Sequence, residues 1–321
     1  MKAARVENFG DPPVLAEIES PSPGPGQVLV RIAACGLNFA DLLMIDGKYQ
    51  DTPEPPFTLG MEIAGIVEGH GEGVALPAIG TRVAVFAGSG GLAEYGVFDA
   101  ARCVPIPDTM SFEEAAGFLV AYGTSHLALT RRARLRDGER LLVLGASGGV
   151  GLTAVELGAA MGAEVIAVAR GSDKLAAAKD AGAHHLLDAR TADLRAEVKA
   201  LGGADVVYDA VGGQMFTDAM RATNPEGRIL VIGFASGQLP QIVPNHLLVK
   251  NIDVIGFYWG GYMRFGAAHL ADSLKALMDM YEAGRIRPHV GATRPLDRSA
   301  EALDLLRDRA VAGKVVVTMD G

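Results

Sequence analysis

From residue 140 the chain alternates short β-branched runs with helical segments, and this alternation constrains the fold more than any other feature. The runs are LLVLG (141–145), EVIAVA (164–169), HHLLD (184–188), ADVVYD (204–209), RILVIG (228–233) and IDVIGFYW (252–259). Parallel neighbours need crossover connections, so strands alternating with helices predict an α/β fold with a doubly wound parallel sheet of six strands. After the first run, Val150, Ala154, Leu157 and Met161 recur at the one-face spacing of a helix packed on a sheet. Ser172 is placed to cap the next helix and Gly182 to end it. Residues 120–260 are expected to form one domain.

The texture before residue 110 is different. QVLVRIAACGL, EIAGIVEGH and TRVAVFAG read as strands broken by Pro and Gly clusters, PSPGPG and DTPEPPF, which describes an irregular β domain. The join, SFEEAAGFLVAYGTSHLAL, opens with Ser111 and Glu114 spaced as a capping box and then reads as helix. Beyond residue 260, SLKALMDMYEAG and AEALDLLRDRA are helical and GKVVVTM is a closing strand. The tail is expected to return to the first domain, giving residues 1–119 with 261–321 as one unit.

A chain of 321 residues is long enough for two domains, and its net charge of −9 argues against nucleic acid or another polyanion as partner. The N-terminus lacks an apolar targeting core, and no stretch approaches the ~18 apolar residues of a membrane span. A cytoplasmic protein with no membrane partner is expected. Two cysteines, Cys35 and Cys103, are too few for a disulfide framework or a Cys-rich zinc site.

LVLGASGGVGLTAVELG (142–158) is a strand, a Gly-rich turn and a helix, the setting a phosphate-binding loop requires. Ala146 stands where the first glycine of G-x-G-x-x-G would be, and Gly148 and Gly151 complete the pattern. Ala146, Ser147, Gly148, Gly149, Val150 and Gly151 are therefore candidate cofactor contacts. At the end of the second strand, Ala169 occupies the place of the acid that would hold the 2′-hydroxyl of NAD. Arg170, Ser172 and Lys174 follow, a cluster able to bind a 2′-phosphate, so NADPH is the expected cofactor.

CGLNFADLL (35–43) sets Asn38 and Asp41 into an apolar run. Together with GASGGVG, LGMEIAGIVE and the terminal GKVVV, this stretch resembles the medium-chain dehydrogenase/reductase superfamily over essentially the whole chain. The resemblance implies a GroES-like irregular β-barrel catalytic domain and a Rossmann domain. In the zinc enzymes of that superfamily a ligand Cys stands three residues before an Asp, and a ligand His stands in G-H-E. Here Asn38 and Met61 hold those places, Asp41 and Glu62 are kept, and the Cys-rich structural lobe is missing from residues 86–95. Cys35 precedes the ligand position by three residues. The chain is thus similar to the zinc-free, zeta-crystallin-like quinone oxidoreductase branch, with no metal expected.

That resemblance implies further roles. Asn38 and Asp41 belong at the reacting end, and Tyr49 either supplies a proton to an enolate or shapes the substrate pocket. Gly233, Phe234 and Phe257 fall near the nicotinamide, and Lys314 near the pyrophosphate. Val120 stands where a Thr is common, with Thr124 as an alternative hydroxyl, and Asp188 stands where a tyrosine lies near the adenosine phosphate. His126, His184 and His185 lack metal-ligand spacing. The expected function is hydride transfer from NADPH to a quinone or an α,β-unsaturated carbonyl such as an enone or enal, in a homodimer paired through the α/β domains. Enoyl thioester reduction, a zinc alcohol dehydrogenase and a non-catalytic NADPH-binding protein are the alternatives.

Overall fold

All six expected strands form one parallel sheet. In the computed structural model, which describes residues 1–319, their spatial order is His185–Asp188, Glu164–Ala169, Arg140–Leu144, Ala204–Asp209, Thr223–Val231, Asp253–Gly256. Every neighbouring pair is parallel. The chain order reverses beside Arg140–Leu144, and a doubly wound sheet opens its ligand crevice at the carboxyl ends of the strands at such a point.

The helix Gly149–Ala160 buries Ala154 and Leu157 as its spacing predicts, but Leu152, Thr153 and Val155 are buried too. Its second face is covered: Thr153 Oγ1 donates to Ala121 O at 3.1 Å and meets Ser125 Oγ at 2.8 Å. Ser172 does not cap its helix. Gly171, with φ 88°, takes the N-cap of Ser172–Asp180, and the Ser172 hydroxyl donates to Asp173 Oδ1 at 3.1 Å. Gly182, with φ 103°, follows the Ala181 C-cap as expected.

The irregular β unit contains a larger sheet ordered Val290–Pro295, Lys314–Thr318, Gln27–Gly36, Glu62–His70, Arg82–Phe86, Cys103–Pro105, with Tyr95–Asp99 also paired to Gln27–Gly36. A smaller sheet joins Val14–Glu17, Lys2–Val6 and Phe57–Thr58. The capping box at the join forms: Glu114 N donates to Ser111 Oγ at 3.1 Å and Ser111 N to Glu114 Oε2 at 2.9 Å.

The chain divides into two compact units, residues 1–120 with those from 288 onward, and residues 121–287. Residues 261–287, expected in the first domain, belong to the second. The helix Ala267–Glu282 buries Ser273, Leu274, Leu277 and Met280. Ser273 Oγ lies 2.8 Å from His126 Nδ1, and Arg287 N donates to Glu156 Oε1 at 2.7 Å. Amphipathic spacing says which face a helix buries, not against which sheet. Positions 320 and 321 of the expected range lie outside the described residues.

Candidate active site

In the first unit the strand Gln27–Gly36 ends against the main chain of Ala116, where a Cβ on Gly36 would come within 2.1 Å of Ala116 O. Leu37 N then donates to Val315 O at 2.9 Å, which brings the start of the Lys314–Thr318 strand beside Asn38. Lys314 Nζ donates to Leu37 O at 2.8 Å, Asn38 Oδ1 at 2.9 Å and Glu62 Oε1 at 2.6 Å. These three acceptors match the three hydrogens of an ammonium. Asn38 Nδ2 in turn donates to Glu62 Oε1 at 2.9 Å and to Gly36 O at 3.3 Å. Glu62 Oε2 accepts from Val120 N at 3.0 Å. Lys314 and Glu62 are 7% and 1% exposed, so this is a buried ion pair with its polar atoms satisfied.

Lys314 and Asp41 both find partners within the first unit. Lys314, assigned to the pyrophosphate, spends its charge inside the first unit. Asp41, expected at the reacting end, is fully buried and accepts Asn38 N on Oδ2 at 2.8 Å, so it holds the Asn38 backbone. Asn38 keeps partial exposure, with its amide orientation fixed by Lys314 on one side and Glu62 on the other. Tyr49 is half-buried and packs against the core of this unit. Burial raises the Cys35 thiol well above its usual range, with Asp41 and Glu62 adding to the effect, which keeps it protonated and inert.

Burial also pushes the Asp41 carboxyl up to about 7, against the hydrogen bonds from Asn38 and Gly60 and the attraction of Lys314. The folded state then holds a proton that the unfolded state, titrating near 3.8, releases first. Unfolding free energy from this group is highest below the unfolded value and declines as pH rises towards 7. At about 1.4 kcal/mol per pKa unit the decline is a few kcal/mol. Asp41→Asn is expected to flatten the dependence, read as urea unfolding free energies at pH 4.5 and 7.5; equal slopes in both proteins would contradict the assignment.

In the second unit a Gly-rich turn joins the strand Arg140–Leu144 to the helix Gly149–Ala160, the local structure expected there. Gly145, with φ 75°, and Ala146 both donate to Val168 O, at 3.1 and 3.0 Å, and Gly148 N donates to Gly145 O at 3.0 Å. Gly151 packs on the loop so closely that a Cβ would lie 2.0 Å from Gly145 O. The helix Gly149–Ala160 starts without a side-chain cap and without an acid in its first turn. The N–H groups of residues 149–151 thus take no side-chain cap, and such a helix start fits a dinucleotide pyrophosphate. Val150 lies within the helix, its carbonyl accepting from Ser125 Oγ at 2.9 Å.

Gly233 N donates to Asp209 O at 3.3 Å and Ala235 N to Ala210 O at 3.0 Å, which holds Gly233 and Phe234 at the carboxyl edge of the sheet. Phe234 is 40% exposed there, while the Phe257 ring meets Tyr262 at 5.8 Å. Arg170 and Ser172 are exposed and Lys174 is half-buried. His126, His184 and His185 each have a protein partner, Ser273, Val165 N and Glu164. Thr124 is buried in the second unit.

Sequence reasoning misses the Asp188–Arg190 pair. Asp188 Oδ1 accepts from Gly171 N at 3.3 Å, and Arg190 Nη2 donates to Asp188 Oδ2 at 2.6 Å. The available signal is an acid at a strand end with an arginine two residues on, at the register where Asp188 faces Ala169.

A doubly wound sheet with an open helix N-terminus at its crevice, joined to an irregular β unit with a buried polar cluster, defines a two-domain dinucleotide-dependent oxidoreductase. Residues 24–108 match the alcohol dehydrogenase GroES-like domain and residues 149–276 the zinc-binding dehydrogenase family. The quinone oxidoreductase-like protein 2 homolog of Nematostella vectensis is 36% identical, with 98% of this chain and 88% of the relative covered. A quinone oxidoreductase of Thermus thermophilus, solved alone and with NADPH, superposes with a TM-score of 0.89 at 35% identity, covering 99% of this chain and 100% of the other. A mycobacterial protein solved with NADPH gives 0.93 at 29% identity, covering 99% of both chains. The chain belongs to the medium-chain dehydrogenase/reductase superfamily.

The zinc named by one of these family descriptions does not fit the residues present. Asn38 and Met61 hold the ligand places, Met61 is buried in the core, and Asn38 and Glu62 turn their oxygens to the Lys314 ammonium. Among the described residues no group of three or more His, Cys, Asp or Glu could hold a metal ion.

Proposed function

We propose that this protein is a zinc-independent, NADPH-dependent reductase acting on quinones or on C=C bonds conjugated to a carbonyl. The observation that carries the reading is the Asn38–Glu62–Lys314 cluster: a fixed cation already fills the polar shell that a catalytic metal would need. Bound NADPH supplies the hydride. The open amides of residues 149–151 hold its pyrophosphate, and Gly233, Phe234 and Phe257 line its nicotinamide end. Asn38 orients groups at the reacting end and transfers no proton, because an amide has none to give at neutral pH. Tyr49 is the proton donor to the enolate where the substrate is an enone. The deciding experiment is steady-state NADPH consumption across a panel of quinones and α,β-unsaturated carbonyls, with metal analysis of the same protein. Turnover that tracks bound zinc, or no turnover with any member, would overturn the reading.

Ala169 removes the acid that would repel a 2′-phosphate, while Arg170 and Lys174 supply cations and Ser172 a hydroxyl. At about 1.5 kcal/mol per charge-assisted contact, Arg170→Ala with Lys174→Ala should weaken NADPH about a hundredfold and hardly change NADH. Equal affinity of the unaltered protein for the two cofactors would contradict the assignment.

The reading includes a cytoplasmic homodimer. No helix among the described residues is long and apolar enough to cross a membrane. Asp253–Gly256 is an edge strand of the parallel sheet, and Leu248 and Val249 just before it are 77% and 71% exposed. Pairing with a second copy would cover that edge. Light scattering at micromolar protein tests it, a monomer being the contrary result.

A further inference from the structure

We propose that Arg190 is a selectivity residue for the 2′-phosphate, positioned and charge-balanced by Asp188. The inference rests on the NADPH reading above and adds to it a residue from the end of the third strand of the parallel sheet.

Asp188 ends the His185–Asp188 strand in register with Ala169, the last residue of Glu164–Ala169. Its carboxylate therefore stands at the same sheet edge as Arg170, one strand away from where an NAD-binding acid would sit. Left alone, this anion would oppose a 2′-phosphate and favour a ribose hydroxyl. It is not left alone. Arg190 Nε donates to Asp188 Oδ1 and Oδ2 at 3.1 and 3.2 Å, Nη2 to Oδ2 at 2.6 Å, and the Arg190 backbone N to Oδ1 at 3.1 Å. The carboxyl is held far below the usual carboxylate range, chiefly by these Arg190 hydrogen bonds, so the pair persists across the physiological range.

The guanidinium also has a defined place. A Cβ built on Gly171 would meet Arg190 Nη2 at 3.4 Å and Cζ at 3.6 Å, so the planar group lies over the Gly171 backbone. Gly171, with φ 88°, is the N-cap of Ser172–Asp180 and lies between Arg170 and Ser172. Nη1, which takes no part in the hydrogen bonds to Asp188, is 3.6 Å from the same point. One salt bridge thus masks the adverse anion and leaves Nη1, which makes no bond to Asp188, beside the place where the 2′-phosphate would rest. A guanidinium anchored in this way loses less freedom on binding than a loose surface arginine.

The test is a set of dissociation constants for NADPH and NADH with the full chain, its Arg190→Ala variant and the Asp188→Asn with Arg190→Ala double variant. Arg190 is 62% exposed, so its removal should leave the fold intact, which a thermal melt checks. Arg190→Ala both deletes a cation and bares an anion, and NADPH should weaken about thirtyfold while NADH changes less than threefold. Removing the bared anion as well should recover at least threefold of the NADPH loss. If the unaltered protein prefers NADPH but Arg190→Ala leaves that preference within threefold, or weakens both cofactors equally, the role of Arg190 is refuted and the NADPH reading stands. No preference in the unaltered protein refutes the NADPH reading itself and this inference with it.

Discussion

Replacing Lys314 with methionine is expected to destabilise the folded protein by about 3–5 kcal/mol, because it leaves the Glu62 carboxylate buried without its cation. Methionine preserves the length and apolar stem, so packing against Gly117, where a Cβ would lie 3.0 Å from Lys314 Cγ, is disturbed little. The loss is therefore electrostatic. It also leaves Asn38 Oδ1 without its partner, so the amide is held only through Nδ2, by Glu62 and Gly36. Turnover should fall at least tenfold while NADPH affinity, which the proposed contacts assign to the other unit, should stay within about threefold. Glu62→Gln added to Lys314→Met should restore part of the stability, because a neutral pair removes the buried uncompensated charge. Urea unfolding of the single and double variants measures this, and strictly additive losses would contradict the coupling.

The same residue shows where sequence reasoning runs out. A lysine entering the run KVVVT is legible as the start of a strand, and Lys314–Thr318 is one. Its partner Glu62 lies 252 positions away, and nothing local to GKVVV says that an ammonium will be buried there. The parallel sheet was legible because each run carries its own signal, a short β-branched stretch followed by a helical period. The departure of residues 261–287 from the expected first domain has the opposite cause, since their helix reveals an apolar face without naming the sheet it meets. Asn38 and Asp41 could be singled out because two short polar side chains interrupt an apolar run. Their division of labour, one half-exposed and one fully buried, depends on Gly60, Glu62 and Lys314 arriving from elsewhere in the unit. Ser172 fails as a cap for a purely local reason, because a glycine with positive φ before it takes the N-cap position.

Two glycines of the phosphate-binding loop should separate stability from cofactor binding. Gly151→Ala sets a Cβ 2.0 Å from Gly145 O and 2.8 Å from its carbonyl carbon, and both neighbours are backbone. No rotamer relieves that contact. The Gly145 carbonyl must move by more than an ångström, which breaks the 3.0 Å bond it accepts from Gly148 N and strains a turn held by two bonds to Val168 O. Overpacking of this kind costs about 1–3 kcal/mol, or several degrees of melting temperature in a unit of this size. Gly148→Ala is the contrast. Its φ of −76° suits any residue, and a Cβ there would meet only Gly145 O at 3.6 Å, an ordinary contact. The melting temperature should hold, yet the methyl group stands at the mouth of the uncapped helix, where the proposed pyrophosphate contact brings an anion close to the backbone. We expect Gly148→Ala to weaken NADPH at least tenfold, about 1.4 kcal/mol, with unfolding unchanged, and Gly151→Ala to lose both. Isothermal titration with NADPH beside thermal melts of the two variants decides it: full NADPH affinity in Gly148→Ala would place the pyrophosphate elsewhere.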